Sequence, residues 1–355
     1  MKMSYASGSM RILVTGATGF FGGLLKGCLE NAGHSYVNLD RLADPADVAA
    51  GKMAICDLRD PDAVDAVFAQ RGPFNAVCHV AADLAHEAKD KRGLWKSNVD
   101  GTRNVAESCR RHGVKKLVFA STNCLWGHPL NRPVVENDPP CPVDIYGKSK
   151  LEAEAILKGY MSELNVVIFR SPTIIAPGRI GLLGILFDFI AEGRRLPVVG
   201  RKNKLYQFIY AEDYAAAILL ALDYPGSDIF HVGSHNATSL EGSYRYVIEH
   251  AGSKSKIYHV PEFPTLPVMR LCHILKISPL GPYQYNMIAE EFVFDTSHLE
   301  STLGWQPTKT NGEILFTAYD YYVKHKDNIE ANADSLPAHR RKARMGVIRL
   351  LKWIS

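Results

Sequence analysis

Tyr146-Gly-Lys-Ser-Lys150 sets a phenol and an amine four residues apart. On a helix, that spacing puts both side chains on one face. A free tyrosine has a pKa of about 10 and is a poor base at neutral pH. Lowering it by roughly 3 units takes about 4 kcal/mol of preferential stabilisation of the phenolate. A lysine beside it in a dry pocket, with a second positive charge close by, can supply that; a solvated pair on an exposed helix face cannot. The pair is therefore chemically meaningful only if other residues enclose it. Upstream, Phe119-Ala-Ser121-Thr122-Asn-Cys-Leu-Trp-Gly127 offers hydroxyls where an apolar, strand-like run ends.

A second set of residues concerns phosphate. Thr15-Gly16-Ala17-Thr18-Gly19-Phe20-Phe21-Gly22 follows an apolar run and opens a helix-like one. The first glycine permits a tight turn, the second lets backbone approach a pyrophosphate, and the third lets helix and strand pack closely. The helix N–H groups then face the phosphates. Asp40 closes the next strand-like run, where a carboxylate binds the adenosine ribose hydroxyls. This favours NAD, because a carboxylate repels the 2′-phosphate of NADP. Arg41 pulls the other way, since an arginine can hold that phosphate. Asp57 and Leu58 are placed to meet the adenine. Ala81 and Ala82 have small side chains beside which a nucleotide can lie. His79 is assigned no role.

In this order, the glycine motif, the serine/threonine element and Tyr-x-x-x-Lys resemble the extended short-chain dehydrogenase/reductase superfamily. The group is that of NAD-dependent sugar epimerases and dehydratases, UDP-glucose 4-epimerase-like, and the resemblance runs from about residue 11 to 324. It implies that Tyr146 is the general base that takes a hydroxyl proton as hydride leaves to NAD. Lys150 would bind the nicotinamide ribose and lower the tyrosine pKa. Thr122 would hydrogen-bond the reacting oxygen, with Ser121 supporting it at the cofactor. Asn98 would position the active-site backbone, and Pro172 and Thr173 would flank the nicotinamide. The candidate substrate contacts are Asp83, Thr122, Asn123, Trp126 and Tyr206. The resemblance also implies a homodimer built on helices matching 98–112 and 146–161.

The departures from the pattern narrow the reaction. Dehydratases of this group carry Asp-Glu directly after the threonine, and here those positions are Asn123 and Cys124. Neither does carboxylate acid/base work, which argues against dehydration. The expected activity is an NAD-dependent sugar epimerase passing through a keto intermediate, on a nucleotide sugar or a lipid-linked sugar. The alternatives are an NAD(P)-dependent dehydrogenase/reductase of a sugar or hydroxysteroid-like substrate, and a non-catalytic NAD-binding protein. Many nucleotide-sugar members grip the diphosphate with an arginine just before the Phe208-Ile-Tyr strand; here Tyr206 stands near that position. Arg201, Lys202 and Lys204 are close enough to compensate. Losing a bidentate arginine weakens the case for an ordinary UDP-sugar.

The elements that must position these groups alternate. Strands are predicted at 11–15, 35–39, 74–79, 116–120 and 165–169, and helices at 21–32, 98–112, 146–163 and 210–222. This predicts an α/β fold, a Rossmann-type doubly wound parallel sheet. Residues 10–172 and about 206–233 would form the NAD-binding domain. About 173–205 and 234–325 would form a smaller, discontinuous C-terminal substrate lobe. Residues 180–187 and 266–280 are aliphatic and read as core helices, or else as a groove for a lipid-linked or steroid-like substrate. Residues 1–9 read as a flexible leader without a secretory signal.

The chain has 355 residues, 46% of them hydrophobic, and a net charge of +4, so neither a disordered chain nor a nucleic-acid binder is indicated. Seven cysteines without a C-x-x-C pair point to reduced thiols, no metal site and a cytoplasmic setting. The end of the chain differs. Arg340, Arg341, Lys342, Arg344, Arg349 and Lys352 fall in a stretch without acids, opposite an apolar helical face. Such a segment, 338–355, can lie on an anionic membrane at its inner face or dock on protein.

Overall fold

The structure is a computed structural model that describes residues 8–84, 90–200, 204–275 and 291–331. The chain begins β1 (Arg11–Thr15), α1 (Phe20–Asn31), β2 (Ser35–Asp40), α2 (Pro45–Ala49), β3 (Met53–Ile55), α3 (Pro61–Arg71) and β4 (Ala76–His79). It continues with α4 (Lys91–Trp95), a π-helical turn (Lys96–Asp100), α5 (Gly101–Arg111), β5 (Lys116–Ala120), α6 (Ile145–Gly159) and β6 (Asn165–Arg170). Then follow β7 (Thr173–Ile175), α7 (Leu183–Ala191), β8 (Leu196–Val199), β9 (Leu205–Tyr206), β10 (Phe208–Tyr210), α8 (Ala211–Asp223) and β11 (Asp228–His231). The last described elements are β12 (Thr238–Ser239), α9 (Leu240–His250), β13 (Ile257–Val260), α10 (Glu262–Ile274), α11 (Ser297–Leu303) and α12 (Asn311–Ala331).

Seven of these strands make one parallel sheet in the order β11-β6-β5-β4-β1-β2-β3. This is the expected Rossmann-type fold. The sequence of its strands explains why. Ile12 and Val14 point into one core, with Phe21 and Leu25 of α1, while Leu13 points into another, with Val64, Phe68 and Val105. A strand buried on both faces needs an apolar centre, and Ile12, Leu13 and Val14 supply it in β1. Strand order reverses between β1 and β4, so the loops that follow these two strands diverge and leave a crevice at their C-terminal ends.

Beyond β6, three two-stranded pairings tie the remaining segments together: β7 with β10, β8 with β13 and β9 with β12. The aliphatic run at 180–187 is core, as Ile180, Ile185 and Phe187 are buried. The run at 266–280 departs from the core reading over its described part, where Val268, Leu271, Ile274 and Leu275 are exposed. The helix expected over 98–112 is interrupted at its start by the π-turn, a feature that recurs at functional sites. The leader up to residue 7 and the tail from 338 lie outside the described residues.

One backbone position carries the first βα turn. Gly16 has φ of 73°, and a Cβ there would lie 2.6 Å from the Ala81 Cα. Gly16→Ala therefore combines a left-handed backbone with a backbone clash. It should destabilise the fold by about 1–3 kcal/mol, read as a lower Tm. An unchanged Tm would show that the turn and the loop after β4 move apart freely.

Candidate active site

The first helix starts without a capping side chain, as α5 and α7 also do. Helices α2, α3, α4, α6 and α9 each begin with a side chain accepting from their first-turn N–H groups, supplied by Asp44, Asp60, Asp90, Asp144 and Ser239. Helix α1 begins at Gly19 with no side-chain cap and no acidic residue in its first turn. Its N-terminal dipole thus faces the crevice uncompensated by the protein's own carboxylates, which suits a pyrophosphate. Gly22 is demanded by packing, because a Cβ there would sit 2.3 Å from the Gly16 carbonyl oxygen. Phe21 turns its ring inward to stack on Tyr214 at 4.5 Å, so only its backbone remains for a cofactor.

Asp40 stands where the sequence expects a ribose carboxylate. Its Oδ2 accepts from the Thr18 N–H at 3.2 Å and its Oδ1 from the Leu42 N–H at 3.1 Å. These bonds join the carboxylate to the glycine turn and leave further lone pairs for a diol. Arg41 is held by Asp83 through two parallel bonds, of 2.8 and 3.2 Å. Asp83 thus meets Arg41 rather than standing apart as a substrate group. Asp57 is likewise engaged, its carboxylate accepting from the Arg59 guanidinium and backbone. Leu58 is buried, with its carbonyl accepting from Asn104 Nδ2 at 2.8 Å. Ala81 and Ala82 follow β4, and Ala81 closes over Gly16.

Asn98 sits in the π-turn and reads backbone on one side and the catalytic helix on the other. Its Oδ1 accepts from the Asp83 N–H at 2.8 Å, and its Nδ2 donates to the Asp83 carbonyl and to Ser149 Oγ, each at 3.0 Å. Ser149 lies between Tyr146 and Lys150 in sequence, so Asn98 links the loop after β4 to α6. Below it, Thr102 donates to the Asn98 carbonyl at 2.6 Å and meets His79 Nε2 at 2.9 Å, while His79 Nδ1 meets Thr15 Oγ1 at 2.7 Å. Burial, and the Lys150 charge second, hold the His79 pKa down at about 3. The histidine is a neutral strut between β1, β4 and α5.

Tyr146 and Lys150 lie on α6 with Thr122 opposite. Tyr146 is half-buried. Burial raises its pKa above the usual tyrosine value, with the Cys124 and Asp144 groups adding to this; the Thr122 hydrogen bond and the Arg179 charge pull it down. Lys150 is buried, with Nζ 3.8 Å above the Phe119 ring. Burial depresses its pKa to about 7, against an opposing pull from Glu154. Glu154, one helical turn on, is fully buried. Its carboxylate accepts from Ser121 Oγ at 2.6 Å and from Arg170 Nη2 at 2.8 Å. Arg170 Nη1 also donates to the Glu136 carbonyl at 2.8 Å. Three polar chain segments that surround the reacting position are thus tied to one carboxylate.

The structure relocates two expected substrate contacts. Trp126 is 1% exposed, packed against Phe292, Phe294 and His231 with the Arg170 guanidinium 5.2 Å over its ring. It is a core residue, because the short 3₁₀ turn at Asn123–Leu125 carries the chain back into the protein. Asn123 is also buried, with its N–H donating to the Ser171 carbonyl at 2.9 Å and its Nδ2 without a partner among the described residues. Tyr206 does reach the crevice wall, its hydroxyl 3.4 Å from Thr173 Oγ1, next to buried Pro172. Lys204 is ion-paired with Glu262 at 2.8 Å, and Arg201 and Lys202 lie outside the described residues. Sequence reasoning missed Glu154, Ser149 and Arg179. Glu154 had a legible signal, being four residues beyond Lys150 on the same helix face. Arg179, 5.2 Å over the Phe20 ring, comes from a loop and had none.

The chain from residue 12 to 233 matches the family model described as NAD dependent epimerase/dehydratase family. The protein belongs to that family. It is an enzyme of the extended short-chain dehydrogenase/reductase type. A Sinorhizobium fredii protein, y4nG, is 30% identical over 96% of this chain and 85% of its own length. A Streptomyces lividans UDP-glucose 4-epimerase is 26% identical over 89% of this chain and 97% of its own. Among solved structures, Bordetella bronchiseptica WbmG in complex with NAD superposes with a TM-score of 0.73 at 23% identity, covering 90% of this chain and 96% of that one. Thermus thermophilus UDP-glucose 4-epimerase in complex with NAD gives 0.68 at 27% identity, covering 88% and 99%.

The buried lysine has a measurable signature. A lysine free in the unfolded chain titrates near ~10.4, well above the folded value. Between pH 7 and about 10 the unfolded state therefore binds more protons, and stability rises with pH. Lys150→Met lacks this dependence. In nucleotide-free protein, the Met variant should have the higher Tm at pH 7, and the difference should close by about pH 10. Parallel Tm profiles for the two proteins would show that Lys150 is not desolvated.

Proposed function

We propose that this enzyme is an NAD-dependent sugar epimerase that oxidises a sugar carbinol transiently to a ketone. The observation that carries the reading is the enclosure of Tyr146, Lys150 and Thr122 at one crevice, where Asn123 and Cys124 stand in place of eliminating carboxylates. NAD, when bound, would supply the hydride acceptor and donor and a positive ring. Asp40, the uncapped start of α1 and Gly16, Thr18 and Gly19 would hold it; Lys150 would reach its nicotinamide ribose. NAD is favoured over NADP because the arginine suited to a 2′-phosphate is engaged by Asp83, whose carboxylate would repel that phosphate.

Tyr146 takes the proton of the reacting hydroxyl and later returns it. By itself the pocket opposes this, since burial raises the tyrosine and lowers the lysine. Positive charge entering the crevice relaxes the tyrosine shift but opposes the protonated lysine, which Glu154 must then hold, so the base is expected to be competent only in the nucleotide-bound enzyme. Thr122 donates to the phenolic oxygen and stays with the substrate oxygen during transfer. Glu154 holds Ser121 and favours the charged form of Lys150. The substrate is a nucleotide sugar or a lipid-linked sugar. A homodimer through the α5 and α6 helices is proposed from the family resemblance.

The first test is the nicotinamide released when purified protein is denatured. About one NAD(H) per subunit fits a cofactor recycled within the site. Protein that releases none, yet turns over with added NAD or NADP, would be a dehydrogenase or reductase instead. Tyr146→Phe should cut turnover by about 100-fold or more, as loss of a general base does, while NAD stays bound. Undiminished turnover in that variant would reject the mechanism.

A further inference from the structure

Helix α10 is apolar on the side that faces solvent. Val268, Leu271, Ile274 and Leu275 are 54, 55, 73 and 58% exposed, and Phe263 at its start is 83% exposed. At about 100° per residue, positions 268, 271 and 275 fall within roughly 60° of one another, with 274 at one margin and exposed Arg270 just beyond it. Around the rest of the helix Leu266, Met269 and Cys272 are half-buried, Cys272 bordering the exposed face beside Val268. A helix that is apolar on both sides belongs inside something. The other exposed large apolar residues among those described, such as Leu42, Ile55, Val143 and Val323, are spread over separate elements.

Charge says what covers this face. Glu262 is ion-paired with Lys204, and no acidic residue follows it in sequence until Glu290. Arg270 therefore stands on the border of an apolar face whose own helix carries no acid after Glu262. A second copy of the same face would bring it no anion, whereas lipid headgroups would. The end of the chain has the same character: residues 335–355 contain six arginines and lysines and no acid. The start of α10 is tied to the segment that reaches the crevice. Lys204, which anchors the start of α10, is two residues ahead of Tyr206, whose hydroxyl meets Thr173 at the crevice.

We propose that the outer face of α10 is a docking surface for an anionic lipid bilayer, which would bring the substrate side of the crevice to the membrane. Apolar side chains that insert at the headgroup boundary, with cations at their margin, are how peripheral helices bind. The proposal does not depend on the sugar chemistry above, because binding is measured without turnover.

The test is sedimentation of the full chain with vesicles of phosphatidylglycerol and phosphatidylcholine, compared with phosphatidylcholine alone. The wild-type protein should sediment with the anionic vesicles, and the double variant Leu271→Glu/Ile274→Glu should partition about tenfold less or weaker still. Absence of wild-type binding overturns the proposal. Equal binding by a folded double variant also overturns it and assigns membrane contact to the tail. A double variant whose oligomer dissociates on gel filtration assigns the face to a second copy instead. If the double variant does not fold, Phe263→Trp decides. Its added emission, taken as the difference from wild type, should shift to the blue and be quenched by brominated anionic lipid. An added emission that stays water-like with vesicles present rejects the docking surface.

Discussion

The candidate site rests on a carboxylate that no solvent reaches. Glu154 is fully buried and joins the end of β5 through Ser121, the end of β6 through Arg170 and its own helix α6, which bears Tyr146 and Lys150. Two charges removed from water are tolerated only when paired and fully hydrogen-bonded, and removing one partner of such a pair costs about 3–5 kcal/mol. Here the geometry is bidentate, with Nε and Nη2 both directed to the carboxylate, and the remaining lone pairs take the Ser121 hydroxyl. The energetic penalty of a misplaced strand end is thereby transferred to the position of the catalytic helix.

A parallel constraint acts across the crevice. Asn98 uses both ends of its amide on the loop after β4 and on Ser149, and the π-turn sets its carbonyl and side chain against α6 and Thr102 together. His79 closes the same network toward Thr15 and the glycine turn. The cofactor half and the catalytic half are therefore not independent. Displacing the Gly16 turn pushes on Ala81, which moves the strand-end loop that Asn98 reads.

Electrostatics then separates an idle pocket from a working one. Burial alone leaves Tyr146 a weaker acid than a free tyrosine and Lys150 a weaker base than a free lysine. Low dielectric, which disfavours both ionised forms, makes an incoming positive charge more effective than it would be in water. Arg179, over Phe20 and within electrostatic reach of Tyr146, is the protein's own contribution in that direction.

Sequence alone determined the sheet and marked the candidate residues at its strand ends. β1 and β5 have the predicted bounds, because strands buried on both faces leave uninterrupted apolar runs between turn residues. The glycine turn, Asp40, Tyr146, Lys150 and Thr122 were legible because each is a local requirement: a positive φ, a strand end, an i, i+4 face. Tertiary structure decided what depends on partners distant in sequence. Trp126 looked like a substrate contact and became core, since Phe292, Phe294, His231 and Arg170, all distant along the chain, pack against it. Residues 266–275 looked like core and became surface, since nothing in a local apolar pattern says whether another element arrives to cover it. Arg41, legible as a group able to hold a phosphate, is paired with Asp83 on another strand's loop. Periodicity reports which side of an element is apolar; only the packed chain supplies what lies against that side.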